Sequence, residues 1–241
     1  MLNRIAVLAS GRGSNLAALQ DYLRGEAERA GRRDPAAEIV LVASDQAGAR
    51  ALELARGWGI AAHVLPRRGS DADVVNGLLR DHEADLVVLA GYLRLVPIEV
   101  VRAHRGRIVN VHPALLPAFG GPGMYGGRVH RAVLESGTRV TGATVHFVDE
   151  EYDRGATIAQ WPVPVLAGDS AETLAARVLR VEHLLLPRAV DAVARGEVRL
   201  GDDGLIVRAS NTTPTPNLAF TLRPQDDEEL AQGIATMLAG D

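Results

Sequence analysis

Asn110 and His112 stand two residues apart at the end of a short apolar run, Ile108–Val111, that Pro113 closes. Residues two apart on a strand point to the same face, so an amide and an imidazole project together there. A carbonyl under nucleophilic attack needs such a pair. One group holds the developing oxyanion, and the other supplies positive charge or a proton. A histidine met singly is more often a core residue bonded to backbone, but a place at a strand end, with Pro113 and Pro117 stiffening the adjoining loop, favours chemistry. Downstream runs an acidic loop, Asp149-Glu150-Glu151-Tyr152-Asp153-Arg154-Gly155. A carboxylate beside an imidazole fixes its tautomer and favours its charged form. The residues alone leave open which of the four acids does so, and a solvated hairpin loop accounts for the same charge run. His146, on the strand before that loop, reads as structural.

A second candidate is Ser10-Gly11-Arg12-Gly13-Ser14-Asn15, directly after an apolar segment and at the opening of a helical pattern. Glycines there let backbone approach a ligand, and the free N–H groups of a helix start favour phosphate. Leu16 stands where the third glycine of a dinucleotide fingerprint belongs, and no Gly-Lys-Ser/Thr follows, so neither that motif nor a P-loop is present. A plain strand-to-helix turn capped by Ser14 or Asn15 is the competing reading. No HExxH or clustered histidine spacing occurs, so no metal site is expected.

These groups need a scaffold, and the apolar periodicity supplies one. Ile5–Ala9, Ile39–Ala43, Ala61–Leu65, Leu86–Ala90 and Ile108–Val111 read as strands, with helices over Asn15–Ala30, Ala49–Trp58 and Asp71–His82 between them. Strands apolar on both faces and separated by helices imply a parallel sheet covered on both sides, with ligands bound beyond the carboxyl ends of its strands. Val140–Val148 and Ile158–Val165 read as a later pair of longer strands. Asp169 is expected to open a long helix with Glu172 as its capping-box partner, and Pro187 to bend or interrupt that helix, whose pattern continues to about Arg195. From Gly201 the chain reads as irregular, through Thr-Thr-Pro-Thr-Pro at 212–216, before an amphipathic stretch, Asp226–Leu238.

Composition limits the function classes. The 241 residues suit one large domain with a small appendage, here 1–200 and 201–241. There is no cysteine, which removes disulfides, thiol nucleophiles and Cys-based metal sites; all 26 basic residues are arginine, which removes Schiff-base lysines. A net charge of −4 gives no global field toward nucleic acid or acidic membranes, and Arg32-Arg33 and Arg67-Arg68 read as solvated charge. The apolar run ending at Ala9 is too short to cross a membrane, and Gly11-Arg12-Gly13 follows where a signal peptide would still be apolar, so a cytoplasmic protein is expected.

Through these motifs together, the chain resembles the glycinamide ribonucleotide formyltransferase family, which acts in purine synthesis. The resemblance rests on IAVLASGRGSNLAAL (5–19), LAGYLRLV (89–96), IVNVHPALLP (108–117), GATVHFVDEEYDRG (142–155) and VPVLAGDSAETLAARVLRVEHLLLP (163–187), and covers residues 4 to 195. It implies a Rossmann-like α/β fold with an antiparallel extension in the C-terminal half. It implies formyl transfer from 10-formyltetrahydrofolate, as co-substrate, to the amine of 5′-phosphoribosylglycinamide, without a metal. By resemblance, Gly13, Ser14 and Asn15 hold the ribonucleotide phosphate, and Leu179, Arg180, Val181 and Glu182 read the glycinamide and ribose. Leu93, Arg94, Leu95 and Val96 line the pterin pocket, and the loop Asp149, Glu150, Glu151, Tyr152, Asp153 closes over it beside Asn110. Asn110, His112 and Asp153 form the catalytic set, Asp153 being singled out by the resemblance alone. The glycine-rich loop Ala118–Arg128 departs from the family pattern, and Arg67 or Arg68 stands near the family's arginine.

Small-molecule substrates are thus expected, with no nucleic-acid or membrane partner and a homodimer compatible with the tail. The competing functions are 10-formyltetrahydrofolate hydrolysis, whose enzymes carry an added N-terminal domain, and a non-catalytic nucleotide-binding module. Methionyl-tRNA formyl transfer is disfavoured, because it calls for a basic surface.

Overall fold

The computed structural model describes residues 3–29, 37–66 and 72–209, with the isolated positions 232 and 236. The expectations at Arg32-Arg33, Arg67-Arg68, 212–216 and most of Asp226–Leu238 lie outside the described residues.

Five parallel strands, β1 (Arg4–Leu8), β2 (Glu38–Ser44), β3 (Ala61–Val64), β4 (Leu86–Leu89) and β5 (Ile108–His112), are joined through α1 (Ser14–Arg29), α2 (Arg50–Gly57), α3 (Ala72–Asp81) and α4 (Ile98–Ala103). Two antiparallel strands, β6 (Val140–Phe147) and β7 (Thr157–Pro164), extend the sheet on the β5 side, giving the order β3-β2-β1-β4-β5-β6-β7. Between β5 and β6 lies α5 (Gly127–Glu135), and after β7 comes α6 (Ala171–Ala194). This is the expected mixed α/β architecture.

The sheet is apolar on both faces because each face carries its own core. Ile5, Val7, Leu86 and Val88 pack with Leu16, Leu19 and Leu52 of α1 and α2 and with Leu174, Val178 and Leu185 of α6. Ala6, Leu8, Val87 and Leu89 pack on the other side with Val75 and Leu79 of α3 and Val100 and Val101 of α4. The strand order reverses between β1 and β4, which opens a crevice at their carboxyl ends where a doubly wound sheet takes its ligand.

Three local expectations are corrected. The capping box of α6 is Ser170 with Thr173, not Asp169 with Glu172. Asp169 is engaged elsewhere: Arg177 donates to its two oxygens at 2.7 and 2.9 Å, and Leu166 N–H donates to it at 2.8 Å. Pro187 does not interrupt α6, which runs on to Ala194 as its pattern predicts, because the flanking residues Leu185, Leu186, Ala189 and Val190 are buried in the core and tertiary packing holds the segment helical. Past Gly201 the chain is not wholly irregular, since β8 (Val198–Leu200) and β9 (Ile206–Arg208) form a hairpin. Among the described residues no helix is long and apolar enough to cross a membrane.

Candidate active site

The crevice at the strand reversal is an open cleft of about 680 Å³. The β1–α1 turn forms one wall. Gly13 adopts φ +75°, and a Cβ there would come within 2.9 Å of Ala51 Cα, so only glycine lets the turn pack against α2 and present its N–H groups. Ser14 opens α1, whose amino end faces the cleft and favours an anion. Asn15 Nδ2 donates to Glu182 Oε2 at 2.6 Å, while Asn15 Oδ1 has no hydrogen-bond partner among the described residues. Burial raises the Glu182 carboxyl to about 7, against the lowering effect of the Asn15 bond. A buried acid that titrates near neutrality, beside an unspent amide oxygen, suits a ligand rich in hydroxyl and amine donors.

The floor is built where β5 meets β6. The register sets Asn110 opposite His146 and His112 opposite Thr144, on one face of the sheet. His146 Nδ1–H donates to Phe147 O at 2.7 Å, which leaves Nε2 to accept from Asn110 Nδ2–H at 3.1 Å. Burial holds the His146 ring below the usual histidine range, with the Phe147 bond and the Asp153 charge opposing that effect, so the ring is a neutral acceptor. One N–H of Asn110 is thereby fixed, and the second remains for the cleft.

His112, 3% exposed, donates from Nε2 to Phe119 O at 2.9 Å and faces Asp153 Oδ2 with Nδ1 at 3.5 Å. Both ring nitrogens of His112 thus face oxygen atoms. The same Asp153 oxygen accepts from Gly121 N–H at 2.9 Å, and Oδ1 lies 3.7 Å from His146 Nε2. Asp153 reaches this position through a left-handed backbone (φ 54°) just before Gly155, where any Cβ would collide with Phe147 O. The segment 114–116 is pinned by Thr144, which donates to Ala114 O at 2.6 Å and accepts from Leu116 N–H at 3.0 Å.

Of the residues singled out from sequence, Gly13, Ser14, Asn15, Leu93, Arg94, Leu95, Val96, Asn110, His112, Asp149, Glu151, Tyr152, Asp153, Leu179 and Glu182 all line this cleft. Three do not. Val181 is buried in the core and Arg180 is exposed away from the cleft, because a helix presents positions three apart, here Leu179 and Glu182, to one side. Glu150 pairs instead with Arg102, at 2.7 and 3.0 Å.

Sequence reasoning missed two groups. His146, structural by its sequence position alone, orients Asn110; the signal is the strand pairing, which the sequence does not print. His130 of α5 also lines the cleft, 5% exposed, with Nδ1 unpartnered among the described residues. Burial, then the nearby His112 charge, lowers His130 to about 4, so it is a neutral hydrogen-bonding group.

The sequence profile described as "Formyl transferase" matches residues 3–190. A curated relative named phosphoribosylglycinamide formyltransferase, chloroplastic, from Arabidopsis thaliana is 40% identical over 217 residues, covering 88% of this chain and 72% of that one. The trifunctional purine biosynthetic protein adenosine-3 of Gallus gallus is 41% identical over 208 residues, 84% of this chain and 20% of that one. The crystal structure of phosphoribosylglycinamide formyltransferase from Anaplasma phagocytophilum superposes with a TM-score of 0.77 at 35% identity, over 88% of this chain and 97% of that one.

Proposed function

The chain belongs to the formyl transferase family, and on that premise we propose that the cleft passes the formyl group of 10-formyltetrahydrofolate to the amine of 5′-phosphoribosylglycinamide, a step of purine biosynthesis. The observation that carries this reading is one cleft that joins a phosphate-type helix start, Gly13–Asn15, to an oriented amide beside an imidazole–carboxylate pair.

The ribonucleotide phosphate takes the N–H groups at the start of α1, and Glu182 with Asn15 takes the ribose and glycinamide. Tetrahydrofolate lies against Leu93–Val96 and under the loop that ends at Asp153. The glycinamide amine attacks the formyl carbon, a new C–N bond forms, and the carbonyl electrons move onto oxygen. The second N–H of Asn110 donates to that oxyanion. His112, held between Phe119 O and Asp153, contributes positive charge from behind. Collapse expels N10, and the proton lost by the amine reaches N10 through a water held at Asp153. This reading takes a cytoplasmic enzyme of small molecules and calls on no metal, nucleic acid, membrane or fixed oligomer.

Asn110→Ala tests it. Loss of one oxyanion donor lowers turnover on the order of a hundredfold or more. The expected result is that loss in kcat with the binding of both substrates little changed; unchanged turnover would overturn the assignment.

A further inference from the structure

The segment 91–96, which includes the proposed folate residues Leu93–Val96, contains neither helix nor strand, so its shape depends on tethers. Arg94 donates to Pro66 O at 3.1 Å, and Ser10 N–H donates to Gly91 O at 3.1 Å. A further tether runs inward. Leu93 N–H donates to Ser10 Oγ at 2.9 Å, and Ser10 Oγ–H donates to Asp45 Oδ1 at 2.6 Å. Asp45 follows β2, is 6% exposed, and accepts from Gln46 Nε2 on its other oxygen at 2.8 Å.

From these contacts we propose that Ser10 and Asp45 are positioning residues that set the folate segment against the ribonucleotide turn. The inference rests on the assignment of Leu93–Val96 to folate. An ionised carboxylate only accepts, so it commits the Ser10 proton and turns the hydroxyl's lone pairs toward Leu93 N–H. The charge at the end of the chain polarises the hydroxyl and strengthens the bond it accepts. Ser10 is also the residue just before Gly11, so one side chain couples the loop after β4 to the turn after β1. Neither Ser10 nor Asp45 lines the cleft, so neither touches substrate. Tyr92, which does line it, has its hydroxyl pushed up to about 12 by burial and then by the Asp45 charge, and stays a neutral donor beside the segment.

The test is steady-state kinetics with each substrate varied in turn. Ser10→Ala and Asp45→Ala should each raise the KM for 10-formyltetrahydrofolate about tenfold, the effect of one charge-assisted hydrogen bond. The KM for the ribonucleotide and kcat should stay within threefold. Asp45→Asn keeps an oxygen for Ser10 but loses the charge, so it should raise the folate KM by less than Asp45→Ala does, and the double alanine variant should be no worse than either single one. If Asp45→Ala does not fold, Ser10→Ala in the Asp45→Asn background, which leaves no unpaired charge, reads the same quantity. Leu95→Ala serves as a calibrator. If it raises the folate KM and Ser10→Ala does not, the positioning role is wrong and the folate assignment stands. If neither variant moves the folate KM, both are wrong. A shift confined to the ribonucleotide KM also overturns the positioning role.

Discussion

Replacing Asp153 by asparagine removes one negative charge while leaving an oxygen to accept the Gly121 N–H and a side chain that tolerates the left-handed backbone at this position. The loop should therefore keep its shape, and the change falls on the charge. Asp153 Oδ2 lies 3.5 Å from His112 Nδ1, and a hydrogen-bonding contact to a charged group is worth about 3 kcal/mol. The amide oxygen recovers part of this, so the expected loss in kcat is about tenfold to a hundredfold. Tetrahydrofolate formation followed by absorbance, with the ribonucleotide saturating, measures it, and circular dichroism checks the fold. A kcat within threefold of wild type would defeat this expectation, since charge at His112 would then do nothing for the reaction.

His146→Ala removes the acceptor that orients Asn110 and should lower kcat about tenfold, with no further loss in the Asn110→Ala background. Glu182 titrates at about 7 in the fold against 4.5 in an unfolded chain, so the folded state holds its proton longer; stability then falls as pH rises from 4.5 to about 7 and levels off above. Glu182→Gln should remove that slope, amounting to about 3 kcal/mol between pH 4.5 and 8 in urea unfolding, and should raise the ribonucleotide KM. Asp169 shows the opposite sign: the Arg177 bond holds its carboxyl at about 2, so the pair's contribution is present above pH 4 and is lost as pH falls toward 2. Asp169→Ala removes the two charge-assisted hydrogen bonds from Arg177 and should cost about 2 kcal/mol at pH 7, and much less at pH 2, as thermal unfolding at the two pH values would show.

The sheet was legible because its strands are apolar on both faces and its helices carry the 3.6 period, and the cleft followed from where such sheets bind ligands. Asn110 and His112 were legible because a strand repeats every two residues. Asp153 stood among four acids and was separated from them by resemblance; what sets it apart physically is a left-handed backbone beside a glycine that admits no side chain. The role of His146 was not legible because it depends on antiparallel register with β5, a contact between residues 36 apart in the chain. His130 was missed because α5 starts inside a glycine-rich run that reads as loop. At α6 the capping rule was sound, but two adjacent residues could satisfy it, and the Arg177 contact that occupies Asp169 is tertiary.

The formyl group should leave only toward the glycinamide amine. Mixing the protein with 10-formyltetrahydrofolate, with and without 5′-phosphoribosylglycinamide, and quantifying tetrahydrofolate and the formylated ribonucleotide tests this directly. Equal amounts of the two products are expected when the acceptor is present, and negligible tetrahydrofolate when it is absent. Tetrahydrofolate released at the same rate without the acceptor, with formate as its co-product, would contradict the proposed transfer.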